Sequence, residues 1–253
     1  MKFRVLLALL FSLFASIAHA EWQLLPGQAT AIGVGARGDA WAVGIDRVDG
    51  GHSIYRWVGN DWQIVPGGAV RLDVDPQGNP WVVNSYGNIL RLGPSGWQPL
   101  PGQARDIGIG ANGAVWVIGV TPVAGGFMIY RWNGRDWDVV PGGAVSIDVD
   151  PRGNPWVVND VGEVFRYERG NWQRLMARGT ALTIASDGVA WLLGPDNVAG
   201  GYAIQRSTAK GWRRVPGGGV AISAGPVPWL VNSEGRVFRW QAARRQDSQR
   251  GNL

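Results

Sequence analysis

The stretch WQIVPGGAVRLDVDPQGNPWVVNSYGNILRL (residues 62–92) decides the fold, because it is one copy of a unit that fills most of the chain. It contains four short apolar segments, WQIVP, AVRLDVD, PWVVN and NILRL. The residues GG, PQGN and SYG separate these segments, and they are the turn residues expected between β-strands. The stretch therefore predicts four consecutive strands joined by tight turns.

Two tryptophans mark each copy of the unit. The first recurs at gaps of 40, 35, 40, 35 and 40 residues, so long and short units alternate in three tandem pairs of 75 residues. The second follows the first by 19 residues in five units and by 17 in the last. The first tryptophans are Trp22, Trp62, Trp97, Trp137, Trp172 and Trp212, and the second are Trp41, Trp81, Trp116, Trp156, Trp191 and Trp229.

Helices are nearly excluded by the distribution of glycine and proline. From Glu21 to Gly235 the longest stretch without either residue is the nine residues 202–210, which is shorter than an ordinary helix. Four strands in 35 to 40 residues, repeated six times, predict an all-β, six-bladed β-propeller of four-stranded blades. The chain starts with the fourth strand of a blade (22–26) and ends with a third strand (236–240). We expect these two strands to pair and close the ring, which removes two exposed sheet edges.

The repeated motifs resemble those of tectonin repeats, found in tectonin- and tachylectin-1-type lectins. The segments that carry the resemblance are WQIVPGGA (62–69), WVVN (81–84) and IYRW (54–57), and it extends over about residues 22–240. It implies a six-bladed propeller and, in characterised members, binding of carbohydrates such as bacterial cell-surface glycans. Some members are known mainly as intracellular repeat modules. The fifth unit departs from the pattern with MARGTA (176–181), and the sixth lacks the DPxGNP turn.

The ends of the chain differ from the repeats. Lys2 and Arg4 precede an apolar run (5–17) and the small-x-small site Ala18-His19-Ala20, which is the layout of a signal peptide. The alternative is an uncleaved membrane anchor, but the run is shorter than a membrane span. We therefore expect residues 1–20 to be removed, residues 21–240 to form the propeller, and residues 241–253 to be a disordered basic tail. The mature protein is expected to be exported, periplasmic or extracellular, and monomeric, with no membrane span.

The composition excludes several classes of function. The chain has no Cys, which excludes disulfides, cysteine metal sites and a thiol nucleophile. Its net charge of +5 lies largely in the ends, because the signal peptide and the tail each carry +2, and about +1 remains for residues 21–240. A nearly neutral body argues against nucleic acid as a partner. No cofactor is indicated.

Most of the periodic side chains are interpreted as framework. Twelve of the 15 tryptophans occupy the two repeat positions, where packing between blades accounts for them. An arginine ends the third strand of every blade, and we expect it to stack on a Trp or to bind loop carbonyls. Trp57, Trp132 and Trp240 follow three of these arginines but are not repeated in the other units, so they could be exposed platforms. The six arginines are Arg56, Arg91, Arg131, Arg166, Arg206 and Arg239.

Three features that could indicate catalysis or a cofactor are interpreted as structural. The G-x-G-x-x-G motifs at 33–38 and 108–113 precede strands, whereas a dinucleotide site requires a helix. The pairs Asp73/Asp75 and Asp148/Asp150 could hold Ca²⁺ or act as acid and base. Turn capping and pairing with the repeat Arg is the preferred interpretation. His52 has no His at the equivalent positions, and no catalytic constellation can be assembled, so we expect no enzymatic activity.

The remaining signal lies in the five extra residues of the long units. They fall between the strand of the second Trp and the strand of the repeat Arg, in the segments 45–54, 120–129 and 194–204. In a propeller these loops share a face with the Pro-Gly-Gly turns and with NSYG, NDVG and NSEG of the short units. An aromatic ring for stacking and amides for hydroxyl groups are the ingredients of a sugar site. The predicted ligand-binding residues are His52, Phe127, Tyr202, Asn84, Asn159 and Asn232.

The sequence therefore predicts a non-catalytic lectin-like protein that binds cell-surface glycans, with bacterial surface polysaccharide as the candidate. Weak sites in three copies would gain strength by avidity on a repetitive surface. In the opposing interpretation, Gly-Gly is simply a longer turn and the aromatic packs beneath it. The alternative function is a scaffold of the cell envelope that binds a protein partner.

Overall fold

The computed structural model describes residues 21–241, and within them every regular element is a β-strand. The predicted signal peptide and residues 242–253 of the predicted tail lie outside the described residues, whereas Gln241 belongs to the last strand. The strands are, in chain order, β1 (Glu21–Gln28), β2 (Ala31–Val34), β3 (Ala40–Val48), β4 (Gly51–Trp57), β5 (Trp62–Ala69), β6 (Arg71–Val74), β7 (Pro80–Val83), β8 (Asn88–Gly93), β9 (Gly96–Ile109), β10 (Val115–Val123), β11 (Gly126–Trp132), β12 (Trp137–Ala144), β13 (Ser146–Val149), β14 (Pro155–Val158), β15 (Glu163–Glu168), β16 (Asn171–Arg178), β17 (Ala181–Ile184), β18 (Ala190–Val198), β19 (Gly201–Thr208), β20 (Gly211–Gly219), β21 (Ala221–Ala224), β22 (Pro228–Val231) and β23 (Arg236–Gln241).

The turns between strands are held by short polar side chains. Asp75 Oδ1 accepts hydrogen bonds from Gln77 N and Asn79 N, both at 2.9 Å, and closes the turn from β6 to β7. Gly78 completes this turn with a φ of +88°, a conformation in which glycine avoids the steric cost of a Cβ. The predicted capping role of the aspartate before proline is thus confirmed.

Small antiparallel sheets are arranged as in a β-propeller, which confirms the predicted all-β class. Four sheets have four strands each, in the orders β1-β23-β22-β21, β2-β3-β4-β5, β13-β14-β15-β16 and β17-β18-β19-β20. A fifth contains seven strands, β12-β11-β10-β9-β8-β7-β6. Its central strand β9 pairs with β8 through residues 96–103 and with β10 through residues 104–109. The long strand therefore links two groups of strands that resemble the other four sheets.

The innermost strands surround a central axis. Contacts run from β2 to β6, β9, β13, β17 and β21, and β21 contacts β2 again. Apolar clusters lie between neighbouring sheets, and the second Trp of the unit is one of their buried members, as in Trp41, Trp81 and Trp116. The hydrophobic core is thus a series of interfaces around the axis.

The two ends of the described chain meet in one sheet. β1 pairs with β23 in antiparallel register, with Trp22 opposite Trp240 and Leu24 opposite Phe238. The predicted pairing of residues 22–26 with residues 236–240 is confirmed. Because β1 occupies the outer edge of this sheet, it covers backbone groups of β23 that would otherwise be unpaired.

The repeat Arg and the second Trp form one stack in every unit, as predicted. The guanidinium carbon lies 5.5 to 5.8 Å from the ring centroid in all six pairs. Each Arg lies opposite its Trp in the strand register, as Arg91 does with Trp81. The stack therefore follows directly from cross-strand pairing.

The first Trp of a unit ties it to the preceding unit. Trp97 Nε1 donates to Pro66 O at 2.6 Å, and four other tryptophans donate to equivalent proline carbonyls at 2.7 to 3.0 Å. Gly67, with a φ of +136°, lies so close that a Cβ there would be 2.7 Å from Trp97 Nε1. The Pro-Gly-Gly turn is thus shaped by the indole against which it packs. In the fifth unit Met176 replaces the proline and is 97% exposed.

Trp57, Trp132 and Trp240 are half-buried, so the hypothesis that they form exposed platforms is wrong. The Trp57 ring lies 5.0 Å from Trp62 and 5.5 Å from Trp229 of the neighbouring sheet, in edge-to-face geometry. Trp132 and Trp240 make the same kind of contact across their own interfaces. These rings are part of the framework because they fill the gap between sheets.

Candidate functional site

A polar channel runs along the axis that the inner strands surround. Its mouth encloses about 240 Å³ and is lined by residues of all six inner strands. Asp73, Asp148 and Ser223 line both this mouth and a smaller cavity further along the axis. These three side chains therefore mark the narrow part of the channel.

The side chains at this level connect neighbouring inner strands. Asp73 accepts hydrogen bonds from Val74 N at 2.8 Å and from Ile109 N of β9 at 2.6 Å. Asp148 accepts in the same way from Val149 N and from Ile184 N of β17. The expected pairing of Asp73 and Asp148 with the repeat Arg is therefore wrong, because their oxygens bind backbone N–H groups of the next strand while the arginines stack on indoles. Hydroxyl groups make the equivalent bonds in two further units, Thr183 to Ala224 N and Ser223 to Val34 N.

The two G-x-G-x-x-G motifs belong to this same level of the channel. Gly33 and Gly108 occupy the position that Asp73 and Asp148 hold in other units. A Cβ on Gly108 would lie 2.8 Å from the Cα of Asp148. These glycines allow two inner strands to approach closely, and each motif continues into a hairpin, as predicted.

Burial changes the titration of three acids around the channel. Desolvation raises the pKa of Asp148 to about 7, although the backbone N–H groups that bind it favour the charged form. Burial also raises the pKa of Asp106 to about 6, against the attraction of Arg71. The pKa of Asp73 is raised well above its usual range by desolvation and by repulsion from Asp148. Residues 21–241 contain no group of three His, Asp or Glu side chains placed to hold a metal ion.

The long hairpins stand around the mouth of the channel on one face, here called the rim. They are the hairpins β3–β4, β10–β11 and β18–β19. The tip of each supports the turn of the following short unit, since Ser85 N, Asp160 N and Ser233 N donate to Gly50 O, Gly125 O and Gly200 O at 2.9 to 3.0 Å. The predicted grouping of these loops on one face is confirmed.

The three predicted aromatic residues have equivalent backbone positions but different surroundings. His52, Phe127 and Tyr202 lie opposite Ala69, Ala144 and Gly219 at the starts of strands β4, β11 and β19. His52 Nδ1 lies 3.0 Å from Ile45 O. The Arg105 guanidinium carbon is 4.0 Å from the Phe127 ring centroid. Tyr202 lines the channel mouth.

A groove of about 450 Å³ lies on the rim above the turn from β7 to β8, here called the β7–β8 groove. Long hairpins border it on both sides: Asp49 and Gly50 bind its turn from one, and Val120 lines it from the other. Its polar lining is formed by Arg71, Asn84, Ser85, Tyr86 and Arg105. The groove combines hydrogen-bond donors with an exposed aromatic ring, which is what a sugar unit requires.

The Tectonin domain family matches residues 68–156 and 118–253. The chain belongs to the tectonin family. The resemblance inferred from the repeated Trp, Pro-Gly-Gly and Arg motifs is thereby confirmed. No curated protein matches the chain.

Solved structures share the fold of this chain at low sequence identity. A gluconolactonase, XC5397 from Xanthomonas campestris, aligns with a TM-score of 0.64 at 12% identity, covering 88% of this chain and 90% of the other. Regucalcin from Agrobacterium tumefaciens, described as a calcium-binding protein, aligns with a TM-score of 0.58 at 14% identity, covering 87% and 91%. A structure of YCF48 bound to D1 peptide has a TM-score of 0.51 at 20% identity, covering 89% and 82%. These similarities concern the fold alone.

The three predicted asparagines cap the turns of the short units. Asn84 Oδ1 accepts from Tyr86 N and Asn88 N, and Asn232 Oδ1 accepts from Glu234 N and Arg236 N. Asn159 accepts from Glu163 N and also donates to the carboxylate of that residue at 3.1 Å. Asn84 alone of the three lines the β7–β8 groove.

Sequence reasoning missed Arg71, Tyr86 and Arg105. They line the groove together, but they are not repeated in the other short units. Residues present in three near-equal copies are the ones that a repeat makes conspicuous. The signal that could have found them is the opposite one, a charged or aromatic residue at a turn position where the other copies differ.

Residues 21–241 contain no helix that is long and apolar enough to cross a membrane.

Proposed function

We propose that this protein is an exported, non-catalytic, lectin-like propeller of six blades that binds cell-surface glycans through its rim. The observation that carries the proposal is the set of three long hairpins, each bonded to the turn of the next short unit. These contacts hold polar backbone and aromatic side chains in fixed positions around the channel mouth. A site fixed before binding loses less conformational entropy when it takes up a ligand.

The count of six blades is supported by the repeat and by the register of β9. If the seven-stranded sheet is divided where β9 changes partner, at residues 103–104, it gives two groups of four strands that share this strand. The six inner strands in mutual contact then correspond to the six sequence units. An electron-density map or an NMR-derived strand pairing that left one unit outside the ring would contradict this count.

The rim suits sugars because it offers both kinds of contact that sugar rings use. His52, Phe127 and Tyr202 provide flat side chains, and glycine-rich turns expose backbone N–H and C=O groups between them. Sugar hydroxyls bind such polar groups, while the apolar face of the ring stacks on an aromatic side chain. The three hairpins have different residues at equivalent positions, so one scaffold would present three related surfaces.

Catalysis is the less favoured function because the buried acids are already engaged. Asp73 and Asp148 bind backbone N–H groups of adjacent strands, so each maintains contact between inner strands. The fold similarity to a gluconolactonase is at 12% identity and does not extend an activity to this chain. An assay of lactone hydrolysis with the purified protein tests the proposed lack of catalysis. Hydrolysis by the unaltered protein that Asp148→Asn abolishes would overturn this proposal.

Glycan binding is tested on an array of bacterial and eukaryotic glycans with the purified protein from Glu21 onward. We expect retention of at least one bacterial surface polysaccharide, and weaker retention when His52, Phe127 and Tyr202 are together changed to Ala. Ile64→Ala is the matched control, because Ile64 is exposed on the outer strand β5 and far from the rim contacts. Absence of binding at high protein density would contradict the proposal.

Export is tested independently of binding. The N-terminal sequence of the protein recovered from the periplasm or medium should begin at Glu21, since the small-x-small site ends at Ala20. A protein retained in the cytoplasm with Met1 in place would contradict this part.

A protein-binding scaffold is the second candidate, and one surface favours it. Four neighbouring outer strands expose an apolar residue two positions after the first Trp of the unit, namely Leu24, Ile64, Pro99 and Val139. The other two units have Arg174 and Arg214 at this position. A protein partner that co-purifies and is lost with Ile64→Asp and Val139→Asp, while the rim variants retain it, would favour the scaffold.

A further inference from the structure

The β7–β8 groove differs in charge from the equivalent positions above the other two short units. Arg71 and Arg105 both line it. At the equivalent backbone positions the other short units have Ser146 and Ala221 in place of Arg71. Thr180 and Thr30 replace Arg105, since each follows the residue whose N–H closes the neighbouring turn. The scaffold is threefold, but the pair of guanidinium groups occurs once among the described residues.

The aromatic residue of the groove also occurs once. Tyr86 is 60% exposed, whereas Val161 and Glu234 occupy its turn position in the other short units. Single arginines approach those two turns: Arg178 Nη2 donates to Val161 O, and Arg236 forms an ion pair with Glu234. Among the three described turns, only the β7–β8 groove thus combines a flat ring with two guanidinium groups.

Tyr86 is fixed before any ligand binds. Its hydroxyl donates to Asp49 Oδ1 at 2.6 Å, and Gln103 Nε2 donates to its backbone oxygen at 2.9 Å. The hydrogen bond to Asp49 involves only the hydroxyl group at the end of the side chain, so the exposed part of the ring remains accessible to solvent. A ring held in one orientation stacks on a sugar at a lower entropic cost than a mobile ring.

The two arginines are also held in position. Arg71 Nη1 donates to Val70 O at 2.8 Å, and its Nε lies 3.9 Å from Asp106 Oδ1, so part of the guanidinium group remains available. Arg105 lies 4.0 Å over the Phe127 ring, a contact that orients its planar group and leaves its N–H donors at the edge. Guanidinium groups bind carboxylates through paired N–H donors.

We propose that the β7–β8 groove is a single site for a carboxylated sugar unit of an acidic glycan, with Tyr86 stacking on the sugar and Arg71 and Arg105 binding its carboxylate. The proposal rests on glycan binding as the proposed function and specifies the ligand class. It also replaces three equal sites with one, because the residues that read the charge are not repeated. Phe127 then acts indirectly, by positioning Arg105.

The test uses isothermal titration calorimetry with the full mature chain and a panel of carboxylated oligosaccharides: tetragalacturonate, a hyaluronate tetrasaccharide and 3′-sialyllactose. The methyl ester of tetragalacturonate keeps the sugar rings and removes the charge. We expect at least one carboxylated member to bind with a stoichiometry of one, to weaken as salt is raised, and to bind at least about tenfold more tightly than its neutral counterpart.

Arg71→Gln and Arg105→Gln should each weaken binding by about tenfold, since each removes charge-assisted hydrogen bonds. Tyr86→Ala should weaken it similarly, and Tyr86→Phe should retain most of the affinity because the ring remains. Arg236→Gln is the matched control: Arg236 is exposed beside Glu234 near the equivalent turn of the sixth unit, so binding should be unchanged. Unaltered circular dichroism spectra establish that each variant is folded.

Three results would overturn this inference while leaving glycan binding intact. They are equal affinity for the acid and its methyl ester, three equivalent sites for the acid, and retention on the array of neutral glycans only. Inorganic phosphate or sulfate binding at this site with affinity equal to that of the carboxylated sugars would also overturn it, since the sugar ring would contribute nothing. Absence of any glycan binding on the array would instead contradict the proposed function itself.

Discussion

One position of the inner strands shows how different residues serve the same purpose. It is occupied by Asp73, Asp148, Thr183, Ser223 and, in two units, glycine. The carboxylates and hydroxyls accept a hydrogen bond from the next inner strand, and the glycines allow the strands to approach directly. The acids carry a cost that the hydroxyls do not, because a charged carboxylate is poorly solvated in the channel.

Stability should therefore fall as pH rises from about 4 to 7. The folded-state pKa of Asp148 is about 7, well above its ordinary value, so between these pH values the folded protein binds a proton that the unfolded chain releases. We expect the midpoint of thermal unfolding to be several degrees higher at pH 5 than at pH 8.5, a difference on the order of 1–2 kcal/mol. Asp106 and Asp73 act in the same direction.

Asp148→Asn separates this effect from a general loss of stability. The amide stays neutral, so the pH dependence should be smaller while one bond to the backbone is lost. Asp150→Ala is the control, because Asp150 caps a turn and removal of its carboxylate should lower the midpoint at both pH values. Circular dichroism melting curves measure both, and an unchanged pH dependence in Asp148→Asn would contradict the assignment.

The contrast between these two aspartates shows where sequence reasoning succeeds. The partners of Asp150 are two and four residues away, so its role could be predicted from the local motif DPRGN. Asp148 also binds Ile184 N, which lies in the next unit and on another strand. Its role requires knowledge of how neighbouring inner strands align, which the motif does not contain.

At the scale of the element, packing between sheets depends on aromatic side chains that change from unit to unit. Trp57 lies between its own sheet and Trp229 of the next. Leu92 and Tyr167 take the same position in other units and join the clusters there. Variation at this position therefore does not indicate exposure. A gap between two sheets can be filled by leucine, tyrosine or tryptophan, provided that the surrounding side chains adjust.

Trp57→Ala should therefore destabilise the fold without altering glycan binding. We expect a loss of about 2–4 kcal/mol in the free energy of unfolding, because the ring leaves a cavity beside Trp62 and Trp229. Val58→Ala is the neighbouring control, since Val58 is 52% exposed and its truncation should change stability by less than about 0.5 kcal/mol. Urea denaturation measures both. A Trp57→Ala protein of full stability that no longer binds glycans would restore the platform interpretation.

At the scale of the whole molecule, the repeat predicts the ring but not the site. The period of 75 residues and the unmatched end strands contain the information for the arrangement of sheets and for the pairing of β1 with β23. The β7–β8 groove depends on departures from that period at Arg71, Tyr86 and Arg105. The repeated residues contain no trace of such departures, so they predict three equal surfaces.

Because β1 closes the ring, the stability of the fold should depend on this first described strand. Trp22 Nε1 donates to Pro216 O, its ring packs on Trp191 and Trp240, and Leu25 is buried, so removal of residues 21–29 exposes β23 and an apolar interface. We expect the truncated protein to lose about 3–5 kcal/mol, which corresponds to about 10 °C or more in its unfolding midpoint.

A synthetic peptide of residues 21–29 should restore part of this stability in trans, because a ligand that binds only the folded state raises the midpoint with its concentration. The same peptide with Trp22 and Leu25 changed to Ala retains the backbone but lacks both buried side chains, so it should have little effect. Differential scanning fluorimetry over a series of peptide concentrations distinguishes the two. If the truncated chain melts like the full protein and neither peptide shifts it, the ring does not depend on β1 for closure, and its stability must come from contacts among the inner strands alone.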